Sequence, residues 1–75
     1  MITEGKMIKD LCTGDIFTDA YQYKGHARIF VRRTDLQKNG NLYFVMVTYK
    51  NPQDGKLYET VYSLDWNVWT YDSLN

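Results

Sequence analysis

Apolar and polar residues alternate along this chain in short stretches, and turn-forming residues separate the stretches. In ARIFVRR (27–33) the period is two, which predicts a strand with Ile29, Val31 and Arg33 on one face and Arg28, Phe30 and Arg32 on the other. LYFVMVTYK (42–50) is apolar on both faces for most of its length and predicts a strand covered on both sides. KLYETVYSL alternates again, with Leu57, Glu59, Val61 and Ser63 opposed to Tyr58, Thr60, Tyr62 and Leu64. DWNVWTY places Trp66 and Val68 on one face and Trp69 and Tyr71 on the other, as a closing strand, with SLDW open to a short helical turn before it. Earlier in the chain, MIKDLCT (7–13) reads as a strand or a single helical turn, and Ile16–Phe17 as the start of a strand.

The punctuation between these stretches is turn chemistry. Gly14-Asp15 and Lys24-Gly25 close short runs, DLQKNGN is a polar connection carrying Asn39-Gly40, and NPQDG sets Pro52 at a corner before Asp54-Gly55. Glycines at 14, 25, 40 and 55 are spaced for short strands and turns, too closely for repeated strand–helix–strand crossovers. The expected fold is all-β: a single domain over residues 1–75 built as a small SH3-like, partly open five-stranded antiparallel barrel. An OB-like barrel and a smaller sheet with an N-terminal helix are the alternatives. Ile16, Ile29, Val31, Val45, Val47, Val61 and Val68 are the expected core.

The opening DLCTGDIF (10–17), followed by a basic-aromatic strand, NG, a second strand, DGK and a third, resembles small SH3-like barrel proteins of bacteria and phages. It also resembles the first domain of the translation elongation factor P family. Leu11, Gly14, Asp15, Ile16 and Phe17 match the segment that turns such a chain into its first barrel strand, and TYKNPQDGKLYETV resembles the later hairpin. The resemblance implies a barrel. It does not carry translation-factor activity, because only Lys24-Gly25 could stand at that family's modified hairpin tip and the family's further domains have no counterpart here.

Composition narrows the function classes. Hydrophobic residues make up 44% of the chain and charged residues 24%, a globular balance. Nine basic residues offset nine acidic ones, so the net charge lacks the positive excess usual in a dedicated nucleic-acid binder. The charges are nevertheless polarised. Lys24, Arg28, Arg32, Arg33 and Lys38 face only Asp35 in the middle, and Glu59, Asp65 and Asp72 lie beyond residue 56 without a basic neighbour. No apolar run approaches the ~18 residues of a membrane span, and MITEGKMIKD lacks a signal peptide's apolar segment, which together predict a cytoplasmic protein without membrane contact.

Catalytic chemistry is sparse. His26 is the one histidine and Cys12 the one cysteine, leaving no ordinary metal-ligand set, and no phosphate-loop glycine pattern occurs. The sequence therefore predicts no enzyme, no cofactor and no metal. Its aromatic residues, seven of them tyrosines, exceed what so short a chain readily encloses, and amphipathic rings suit interfaces. The leading expectation is a small protein-binding module, or a self-associating one, using Tyr62, Trp66, Trp69, Tyr71 and Asp72. Its size and acidic end suit a phage-encoded regulator or inhibitor of a host protein. The alternative is an RNA- or single-stranded-DNA-binding barrel using Lys24, Arg28, Phe30, Arg32 and Arg33, arginines on phosphate and the ring on a base.

Overall fold

The computed structural model describes residues 2–19, 27–40 and 42–71, with side chains described at all of these except 2–4, 35–39 and 42. Among them are six strands: β1 (Ile2–Met7), β2 (Ile16–Thr18), β3 (Arg28–Asn39), β4 (Leu42–Lys50), β5 (Leu57–Ser63) and β6 (Asn67–Tyr71). They form one antiparallel sheet in the order β1-β6-β2-β3-β4-β5, and no described residues form an α-helix. The all-β expectation holds, with six strands in place of five. The additional strand is β1, whose ITEGKM has no apolar alternation to announce it. It is recruited by backbone pairing with β6, from Ile2 opposite Tyr71 to Met7 opposite Asn67. MIKDLCT resolves as a single 3-10 turn over Ile8–Asp10. SLDW resolves as a tight turn in which the Trp66 N–H donates to the Ser63 carbonyl at 3.0 Å.

The sheet must curl. β5 lies four places from β6, roughly 19 Å across a flat sheet at about 4.8 Å per strand. Only residues 64–66 join Ser63 to Asn67, a reach of about 14 Å even fully extended. The chain closes that distance by bending the sheet. The 3-10 turn then straps the mouth of the curl: the Ile8 N–H donates to the Trp66 carbonyl at 2.9 Å and the Lys9 N–H to the Leu64 carbonyl at 3.2 Å. β1 and β5 share no ladder, so the curl stays open along that seam.

Tight turns set the β3–β4–β5 meander. Strand pairing runs to Asn39 and resumes at Leu42, so the polar segment after residue 34 is strand as well as connection. A short Asn-Gly hairpin requires its strands to abut, which extends β3 beyond its apolar part. At the next corner Gly55 has φ of +71°, a conformation that disfavours side chains, and its N–H donates to the Asn51 carbonyl at 2.8 Å.

Inside the curl lie Ile8, Leu11, Phe17, Phe30, Val45, Val47, Tyr62 and Val68. Val45, Val47 and Val68 stand where alternation put them. Ile16, Ile29 and Val31 are only half-buried, and Val61 is 51% exposed, so these four leave the expected core. The inward row of β2 and β3 carries the aromatic residues, with Phe17 edge-on to Phe30 at 6.4 Å and to Tyr49 at 6.5 Å.

Candidate functional site

β3 carries the basic-aromatic stretch, and a bulge decides which way its side chains point. Phe30 pairs with Tyr49 and Arg32 with Thr48, so Val31 is an extra residue in the strand. Its carbonyl accepts a hydrogen bond from Thr13 Oγ1 at 2.8 Å. Beyond the bulge the alternation reverses. Arg33 joins Phe30 on the inner face, with its guanidinium 5.4 Å from that ring, and Arg32 turns outward; both side chains remain exposed. The expected row of Arg28, Phe30 and Arg32 on one face is therefore corrected to Arg28, Phe30 and Arg33.

Both inner arginines are engaged. Arg33 Nη1 donates to the Leu11 carbonyl at 2.7 Å and the Ile8 carbonyl at 3.3 Å, holding the strap turn against β3. Arg28 Nη1 pairs with Asp19 Oδ2 at 3.0 Å and also contacts the Tyr62 hydroxyl, while its guanidinium lies 4.6 Å over the Tyr49 ring. Phe30 is 3% exposed, so its ring face is closed to a base. Lys24 lies outside the described residues.

Tyr62 points inward from β5. Its hydroxyl donates to Asp19 Oδ2 at 2.8 Å, joining the end of β2 to β5 across the curl. Burial first, then that hydrogen bond, pushes the phenol well above its ordinary range. Nearer the hairpin, Tyr58 stacks on Tyr49 with centroids 5.9 Å apart and donates to Asp54. That bond is the main influence holding the Asp54 carboxyl below, and the Tyr58 phenol above, their usual values.

The outer edge of β5 is one of the two ends of the sheet order, with β1 at the other. At the ends of the β4–β5 hairpin, the Asn51 N–H donates to the Lys56 carbonyl at 2.9 Å and the Leu64 N–H to the Tyr43 carbonyl at 2.8 Å. Stepping two residues at a time between them makes Val45–Tyr62, Val47–Thr60 and Tyr49–Tyr58 the hydrogen-bonded pairs. Leu57, Glu59, Val61 and Ser63 fall between, and their N–H and carbonyl groups point away from β4. Among the described residues no strand pairs with them. Leu57 (58% exposed), Val61 and Tyr58 crowd this edge, and Trp66 (54% exposed) stands at its end. An open cleft of about 450 Å³, lined by Asp19, Phe44, Thr60, Val61, Tyr62, Ser63 and Trp66, runs beside it. A second cleft lies between Asp65, Trp66, Asn67 and Trp69.

Of the aromatic candidates, Trp66 is therefore open and Trp69 half-buried, whereas Tyr62 and Tyr71 (6% exposed) are inside. Asp72 lies outside the described residues. Leu57, Val61 and Phe44 had gone unmarked as site residues. The row Leu57, Glu59, Val61, Ser63 mixes charged and apolar residues, which is the pattern of a solvent face and the signal that could have exposed them. The described residues contain no cluster of three or more His, Cys, Asp or Glu placed to hold a metal, and no helix long and apolar enough to cross a membrane. Comparison of the chain with protein-family models, with curated proteins and with solved structures returns no match.

Proposed function

We propose that this protein is a non-catalytic protein-binding module, an SH3-like barrel in layout, that engages a partner chain along β5 and in the cleft beside Trp66. One observation carries the reading. Along its outer edge β5 pairs with no described strand, and exposed Leu57, Tyr58, Val61 and Trp66 gather there. An apolar edge of this kind costs solubility unless something covers it. Short strands, tight turns and a three-residue link across the mouth of the curl support the barrel layout. Acidic Asp65 adjoins the open tryptophan, which suits a partner segment carrying Lys or Arg through cation–π and ionic contact.

Affinity capture from the source cell tests the reading, with wild-type protein, Trp66→Ala and Arg32→Ala compared side by side. Both substituted side chains are exposed, so the fold is preserved. Specific partners retained by wild type and Arg32→Ala, and depleted at least tenfold by Trp66→Ala, are expected. Retention by Trp66→Ala would overturn the assignment of the site.

A further inference from the structure

We infer that the occupant of the β5 edge is a second copy of this chain, paired antiparallel so that two six-stranded sheets become continuous. The inference rests on the protein-binding reading and names the partner. Unpaired groups at alternate residues accept only an extended backbone, and β5 itself supplies one. The ladder parity limits how two copies can meet, because on β5 the outward groups are the N–H and carbonyl of Leu57, Glu59 and Val61 and the N–H of Ser63, whose carbonyl already accepts the Trp66 N–H.

Among two-fold registers, one centred on Glu59 sets two carboxylates directly opposite each other. One centred on Val61 leaves Leu57 without a strand partner. The register centred on Thr60 matches every outward residue: Leu57 with Ser63 of the second copy, and Glu59 with Val61. Leu57 and Val61 then become diagonal neighbours across the seam and shield one another. The same register brings Lys56 of each copy to the Leu64–Asp65–Trp66 end of the other. Both Lys56 and Asp65 are exposed, so a cation meets a carboxylate and an open indole twice by symmetry. The strap bond from Lys9 to the Leu64 carbonyl ends the free edge just past Ser63, where this pairing also ends.

Sedimentation equilibrium of the full chain, from low-micromolar to near-millimolar protein, tests the inference. The wild-type mass should rise toward that of a dimer. Glu59→Pro removes one outward N–H and leaves the β4 ladder whole, because the residue 59 N–H faces away from β4. It should weaken association at least tenfold. Val61→Glu, at an exposed position, should do the same by facing Glu59 of the second copy, and mixing it with Glu59→Lys should restore a mixed dimer. In an isotope-mixed sample, Thr60 Hα should show an intermolecular contact to Thr60 Hα, and Tyr58 Hα one to Tyr62 Hα. A wild-type protein monomeric throughout would overturn the inference. So would a dimer that Glu59→Pro leaves unchanged, or one lacking those contacts. A monomer that still captures a partner through Trp66 would overturn self-pairing alone, whereas loss of both would remove the binding reading as well.

Discussion

Tyr62 shows how one side chain holds two parts of the sheet together. Its ring fills the curl while its hydroxyl ties β5 to Asp19 at the end of β2. Because burial and the Asp19 bond raise its pKa above the ordinary 10.0, the folded chain keeps the proton where the unfolded chain has lost it. The stabilisation from this group is complete below pH 10 and declines as the pH climbs from there toward the raised folded value. The loss should be about 1.4 kcal/mol per pH unit. Urea denaturation of wild type and Tyr62→Phe between about pH 9 and about pH 11 checks this: the wild type should lose stability more steeply than the variant. Arg28 is tied into the same cluster, so a guanidinium that sequence alone offers to a ligand is committed to an internal carboxylate.

At the scale of the strand, the bulge at Val31 has the largest effect. Because the bulge sets Arg33 on the inner face, Arg33→Ala would take the guanidinium away from the Ile8 and Leu11 carbonyls. The strap turn would lose its anchor, and the Leu11 carbonyl left without the guanidinium would cost about 1–3 kcal/mol, whereas the Ile8 carbonyl keeps the Leu11 N–H. Chemical denaturation should report a large drop in stability, and amide exchange should accelerate first at residues 8–11. Period-two alternation is legible in β4 and β5, where each residue has a single cross-strand partner, and it correctly places Val45 and Val47, but on β5 the inward face is that of Tyr62 and not that of Val61. It fails past Phe30 because an inserted residue leaves no mark in hydrophobicity. β1 was equally silent, since its partner β6 is distant in sequence and its own residues carry no apolar pattern. The turns were more readable: Asp15 accepts the Cys12 N–H at 2.9 Å, and Gly55 has the positive φ expected after Pro52 and Asp54.

For the whole molecule, the open seam matters most. A completed barrel would pair the two end strands of the sheet order, whereas here β1 and β5 each keep one side that no described strand pairs with. The crowding of aromatic residues near the end of the chain implies that some stay open, but alternation sets Trp66 on the face of Val68 and does not single it out as the open one. The location of the free edge was not legible either, because strand order depends on which distant segments meet. Among the described residues, the exposed large apolar ones, Tyr43, Leu57, Tyr58, Val61 and Trp66, all lie on β4, on β5 or just beyond it. Glu59 in the middle of that row acts as a charged guard against indiscriminate edge pairing.

The pairing of Ile2 with Tyr71 also bears on the order of assembly. β3, β4 and β5 meet through tight turns, so their contacts close small loops. β1 can join β6 only after nearly the whole chain has been drawn together, at a larger entropic cost. The meander should therefore be structured in the folding transition state, with the β1–β6 seam zipping afterward. Val47→Ala and Val68→Ala remove equally buried side chains from β4 and β6. In stopped-flow chevron measurements, Val47→Ala should mainly slow folding and Val68→Ala mainly hasten unfolding. Equal slowing by both would mean that the two ends of the chain come together before the barrier is crossed.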